Sequence, residues 1–141
     1  MRVTEILKEK GDSVYQISPN ATLADSVEQL VKFNCGSLMV TERERVLGII
    51  TERDILKSIA SQSLPLCELK VRDFMSKDLV TGQPCDDVNS IMGLMTSQRI
   101  RHLPIIEDNR LAGMISIGDV VKAQFDLLAH ENHYMKVYIQ S

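Results

Sequence analysis

The sequence predicts an α+β fold made of two β-α-β-β-α repeats packed about a pseudo-twofold axis, and a duplicated phrase is the first reason. GIITERDI, residues 48–55, is echoed by GMISIGDV, residues 113–120. Gly48 and Gly113, Asp54 and Asp119, and Pro19 and Pro84 are each 65 residues apart. The register holds without gaps for about forty residues, which marks an internal duplication. The second reason is that the apolar period changes in the same order in both copies, from helical to extended and back.

Each copy opens on a lead-in. Val3-Thr4-Glu5-Ile6-Leu7 answers Val71-Arg72-Asp73-Phe74-Met75 after a three-residue shift, which places a short insertion near Lys10-Gly11-Asp12. A short strand is expected next, then a helix in which Leu23, Val27, Leu30 and Val31 share a face, as Val88, Ile91, Met92 and Met95 do. Two β-rich runs follow, Leu38-Met39-Val40 and Val46–Ile50 in the first copy, Leu103–Ile106 and Leu111–Ile115 in the second. A second helix carries Ile55, Leu56 and Ile59, or Val120, Val121 and Phe125. Pro65 cannot continue a helix, so residues 61–70 form the junction between copies at 1–60 and 71–125, and a helical tail occupies 126–141. A half of this size buries too little surface to be stable alone, so the copies should pack together, with their clefts arising in pairs.

Composition narrows the function classes. The 141 residues carry a net charge of −3 with basic residues dispersed among acids, so no basic face for nucleic acid is expected. No apolar stretch approaches the roughly 18 residues of a membrane span, and the first residues lack a signal-peptide core, so a cytoplasmic location is expected. Cys35, Cys67 and Cys85 form no CxxC pair and are read as reduced thiols. His130 and His133 in HENH lack zinc-ligand spacing and are read as a helix surface, so no metal is expected.

The repeated motif supports two readings. Thr51 with Asp54, and Ser116 with Asp119, have the spacing of a reciprocal helix cap. The same residues stand at a strand-to-helix junction, where free amides attract phosphate and a carboxylate can accept the hydroxyls of a ribose. Arg53 lies inside the first motif, and Arg99, Arg101 and His102 precede the second copy's central strand. The recurring glycine implies close approach of a backbone or a ligand. Residue types alone leave the choice open.

The duplicated pattern, with GIITERD and GMISIGD closing the copies and RIRHLPII introducing a strand, resembles tandem cystathionine-β-synthase (CBS) domains, the pair called a Bateman module. That resemblance implies adenosine-containing ligands in clefts between the copies: AMP first, with NAD(H), ADP, ATP or S-adenosylmethionine as alternatives. It assigns ribose binding to Asp54 with Thr51 and to Asp119 with Ser116. The base would be framed, largely by backbone, by Arg101-His102-Leu103-Pro104 in one copy and Gly36-Ser37-Leu38-Met39 in the other. Ile17-Ser18-Pro19 and Val80-Thr81-Gly82 would close the far side, and Arg53 would meet phosphate. The second site matches the family better, because Met39 replaces the proline found at Pro104 and Gly36-Ser37 lack the charge of Arg101-His102.

The resemblance further implies a stand-alone regulatory protein, not an enzyme, that forms a homodimer and reports nucleotide state to a separate partner. The alternatives are a structural dimeric adaptor whose motif acids are only caps, and a nucleotide-modifying enzyme using His102. Neither a Gly-rich phosphate loop nor a nucleophilic triad accompanies that histidine. Phe125, Leu128, Met135, Tyr138 and Ile139 recur along the tail at helical spacing, and such a stripe is read first as core and second as an interface.

Overall fold

The computed structural model describes residues 1–11 and 13–140. Helix α1 (Val3–Lys10) leads to strand β1 (Gln16–Ile17), helix α2 (Leu23–Phe33), strands β2 (Ser37–Glu42) and β3 (Arg45–Thr51) and helix α3 (Glu52–Ser61). After a 3₁₀ turn at Leu66–Glu68 come α4 (Val71–Phe74), α5 (Val88–Gln98), β4 (His102–Glu107), β5 (Arg110–Ser116) and α6 (Ile117–Gln140). The first and last residues of α5, β4 and β5 each lie 65 positions after those of α2, β2 and β3. Asp12, part of the expected insertion, and Ser141, the last residue of the expected tail, lie outside the described residues.

Local chemistry repeats with the backbone. Thr22 caps α2 by accepting from the Asp25 amide, and Asp87 caps α5 by accepting from the Asn89 amide. Asn34 and Arg99 end those helices in the left-handed region, at φ 49° and 55°. The β2–β3 turn places Arg43 and Glu44 at positive φ, and the β4–β5 turn does so with Asp108 and Asn109. Strands β1, β2 and β3 form one sheet, with β1 parallel to β2 and β2 antiparallel to β3, while β4 and β5 form a two-stranded sheet. The short strand expected in the second copy is reduced to one parallel bridge, Gly82 with Ile105, the counterpart of Ile17 with Val40 in β1–β2. A Cβ on Gly82 would come within 2.9 Å of Ile91 and 3.0 Å of Leu103 and Ile105, so the packing that admits this backbone requires a residue that extends strands poorly.

The compact units cut across the sequence copies. One comprises Met1–Asp12, Thr81–Ile105 and Ala112–Ser141, and the other comprises Ser13–Val80 and Ile106–Leu111. Each therefore holds the lead-in of the opposite copy, and the lead-ins are bound alike. In the first unit the Val3 amide donates to the Asp86 carbonyl, Thr4 to Pro84, and Val88 to Met1. In the second, Val71 donates to Ala21, Arg72 to Pro19, and Leu23 to Leu69. The three-residue shift seen in the sequence is the offset between these two sets of bonds.

The second unit's core joins Ile17, Leu23, Leu30, Leu38, Val40, Ile50, Ile55, Leu69 and Val71. In the first unit Val3, Val88, Ile91, Met95, Leu103, Ile105, Ile115 and Val120 are all buried. The tail continues α6 without a break, and its apolar stripe is not core. Phe125, Leu128, Met135, Tyr138 and Ile139 are all more than half exposed, because α6 extends past the last residues that bury its inner face, Val120 and Ala123.

Candidate functional site

Both motif acids take part in helix caps. The Thr51 amide donates to Asp54 Oδ2 (3.0 Å) and the Asp54 amide donates to Thr51 Oγ1 (3.2 Å). The Thr51 hydroxyl also donates to Asp54 Oδ2 at 3.0 Å. In the second copy the Ser116 amide donates to Asp119 Oδ2 (2.8 Å) and the Asp119 amide to Ser116 Oγ (3.0 Å). The first amide of each following helix is caught as well: Glu52 donates to the Gly36 carbonyl and Ile117 to the Arg101 carbonyl. Each unit thus brings the segment expected to frame a base against the motif that closes its copy, and Ser37 lies opposite Thr51 across β2–β3.

The caps leave part of each carboxylate available. Asp119 remains 23% exposed at its side chain, and among the described residues the hydrogen bonds that its carboxylate accepts all fall on Oδ2. Lys10, from the first copy's lead-in, donates to that oxygen at 2.5 Å and to the Met114 carbonyl at 2.8 Å. Desolvation pulls the Asp119 pKa upward, but the Lys10 ammonium and the bonds from Ser116 outweigh it and hold the carboxyl below the usual carboxylate range. His102 is exposed as a residue, yet desolvation of its ring lowers its pKa. The positive charge of Lys10 adds to that lowering, Asp119 opposes it, and Arg101 adds a smaller push in the same direction. Lys10, Arg101, His102, Ser116 and Asp119 therefore form one electrostatic cluster within one unit.

The other unit is built differently. Ser76, from the second copy's lead-in, donates to Asp54 Oδ1 at 3.3 Å, so a neutral hydroxyl faces this acid where a cation faces Asp119. Arg53 is exposed on the first turn of α3. Ser18 accepts from the Asn20 amide in the turn before α2. The side chains of Ile17, Met39 and Leu103 are buried and Pro104 is buried too, so a ligand would meet these positions through backbone. Gly82 is tied to Pro104 by its amide, whereas Val80 belongs to the other unit from Thr81 and Gly82.

The motif glycines are explained by the exchanged lead-ins. A Cβ on Gly48 would stand 2.6 Å from the Ser76 carbonyl oxygen, and one on Gly113 would stand 2.6 Å from Leu7 Cδ2. At Gly48 the close neighbour is a backbone carbonyl, and at Gly113 it is a leucine side chain, a neighbour that the expectation of a backbone or a ligand did not name. Lys10 and Ser76 are the site neighbours that sequence reasoning missed. A cavity of about 160 Å³ in the first unit is lined by Glu5, Glu9, Lys10, Asp119, Lys122 and Asp126, among others, and shares only Asp119 with the expected ligand residues. That volume is smaller than the roughly 300 Å³ at which small-molecule pockets begin. His130 and His133 are exposed on α6, and among the described residues no group of three or more His, Cys, Asp or Glu could hold a metal ion. No helix among the described residues is long and apolar enough to cross a membrane.

A duplicated fold that closes each copy on a capped hydroxyl–acid pair is the architecture of a paired repeat module. The CBS-domain family model matches residues 4–61 and 71–126, and the chain belongs to that family. It is 37% identical over 147 residues to the mitochondrial CBS domain-containing protein CBSX3 of Arabidopsis thaliana, covering 98% of this chain and 71% of the relative. It is 32% identical over 111 residues to the CBS domain-containing protein YhcV of Bacillus subtilis, covering 79% of each. Among solved structures, the CBS-domain containing protein ATU1752 of Agrobacterium tumefaciens aligns with a TM-score of 0.81 and 38% identity, over 88% of this chain and 99% of that one. The fold is that of a CBS pair, a regulatory module whose family commonly binds adenine nucleotides.

Proposed function

We propose that this chain is a cytoplasmic sensor module, not an enzyme, that binds an adenine nucleotide, AMP before NAD(H), ADP or ATP, and reports its occupancy to a separate protein through the arrangement of a homodimer. The observation that carries the reading is the Asp119 carboxylate, fixed by Ser116 at a strand-to-helix junction, with one oxygen outside the cap and Lys10, Arg101 and His102 around it. A ribose diol that chelates this carboxylate competes with Lys10, and the released ammonium becomes a counter-charge for phosphate. Copies 1–60 and 71–125 would each supply one such acid, joined by linker 61–70 and extended by the tail 126–141. At one hundred times its dissociation constant a nucleotide stabilises the state that binds it by about 2.7 kcal/mol, enough to shift a modestly biased equilibrium.

Calorimetric titration with AMP, ATP, NAD, NADH and S-adenosylmethionine, repeated on Asp119→Asn and Asp54→Asn, tests the proposal. The expected result is binding that Asp119→Asn weakens more than Asp54→Asn. If no adenosine compound binds the intact protein, the sensor reading fails and the structural adaptor replaces it. Conversion of ATP or NAD to a product, lost in His102→Ala, would point instead to an enzyme.

A further inference from the structure

The tail of α6 carries a pattern that the nucleotide site does not use. Val121, Phe125, Leu128, Asn132, Met135 and Ile139 follow one another in alternating steps of four and three residues. That is the spacing of the two seam positions of a heptad, and it keeps one stripe facing one partner helix. The five apolar members are between 56% and 76% exposed, while Val120 and Ala123, on the opposite side of the helix, are buried in the unit. The seam therefore points away from the core that anchors α6.

Two polar features name the occupant. Asn132 falls on the seam at the position where a single asparagine pairs with its own copy and fixes a parallel, in-register dimer. Glu131 and Lys136 take the two flanking positions that meet across a parallel pair, Glu131 of one helix against Lys136 of the next heptad on the other. In an antiparallel pair Glu131 would face its own copy instead. We propose that α6 pairs with α6 of a second copy as a short parallel coiled coil, with Asn132 against Asn132 of the partner subunit and two Glu131–Lys136 bridges. The proposal rests on the homodimer reading above but is independent of any nucleotide.

Sedimentation equilibrium of the full chain at micromolar concentrations, with melting temperature as the folding control, tests it. The expected result is a monomer–dimer equilibrium that Leu128→Asp abolishes. Glu131→Lys and Lys136→Glu should each weaken it about tenfold, the double exchange should restore it, and Asn132→Ile should tighten association while admitting higher oligomers. A dimer indifferent to Leu128→Asp and both charge reversals would overturn the coiled coil and leave a homodimer through another face. Loss with Leu128→Asp but indifference to the charge reversals would mean that the helices pair in another orientation, which overturns the parallel arrangement. A wild-type chain that stays monomeric at high micromolar concentration would sink both the coiled coil and the homodimer.

Discussion

Lys10 and Asp119, 109 residues apart in the chain, meet at 2.5 Å on the carboxylate oxygen that also closes the N-terminal cap of α6. One cation from a lead-in thereby controls the charge, the stability and the accessibility of the acid expected to hold a ribose.

Replacing Lys10 by Met should tighten adenosine three- to tenfold, because the competitor for Asp119 is gone while the cap remains. Calorimetry on adenosine, which has no phosphate to miss the ammonium, isolates that effect. Weaker adenosine binding in the variant would show Lys10 to be a ligand contact and not a competitor.

The same pair sets a pH dependence. The folded-state pKa of Asp119 is depressed, so its stabilising contribution is present above the unfolded value of about 3.9 and is lost as pH falls through the folded value. Wild type should exceed Lys10→Met in unfolding free energy by about 0.5–1 kcal/mol at pH 7, because solvent screens this exposed pair, and the gap should close below about pH 4. Denaturant titrations across that range would check it; a gap that persists in acid assigns the effect to packing.

His102 offers a spectroscopic reading of the cluster. Lys10→Met removes a charge that lowers its pKa, and Asp119→Asn removes one that raises it. Proton NMR titration should therefore move His102 upward in the first variant and downward in the second. Shifts of the same sign would break the electrostatic account.

Gly48 and Gly113 differ in what they would meet. An alanine at 48 presses on a backbone carbonyl, whereas one at 113 presses on the end of a leucine side chain that can turn aside. Gly48→Ala should cost about 3 kcal/mol and Gly113→Ala about 1–2 kcal/mol, with Leu7→Ala reducing the additional cost of the second only. Thermal melts of the three single variants and of the Leu7–Gly113 and Leu7–Gly48 doubles check it.

The β2–β3 turn places Arg43 and Glu44 at φ 52° and 67°, where side chains are strained. Asn-Gly at these positions should stabilise the protein by about 1 kcal/mol, read from the denaturant midpoint. The equivalent Asp108-Asn109 turn already holds tolerant residues, so the same exchange there should gain less.

The duplication made most of the fold legible. An offset of 65 aligned three pairs of elements end to end and placed both caps, because these depend on neighbours three or four residues away. Lys10 was hidden because its partner is distant and because the lead-ins repeat at a different offset, which sets Lys10 opposite Asp78 and so removes any echo of its role. The glycines were noticed but their neighbours were not, since only the exchange of lead-ins brings Ser76 and Leu7 beside them. The tail's spacing was legible as a helical stripe, but burial depends on where a helix ends relative to its unit, and α6 outruns its support.

The exchanged lead-ins also order the events of synthesis. Helix α1 is synthesised ahead of its hydrogen-bonded partners at Pro84 and Asp86, which follow about eighty residues later, a delay of roughly four to sixteen seconds at ordinary elongation rates. Nearly all of the unit that begins at Ser13 is made by Val80, while the unit that begins at Met1 must wait for residues beyond Ala112. Helix α1 is thus made well before the residues that hold it, and an arrest near the junction would leave Val3 and Ile6 exposed to the cell's chaperones.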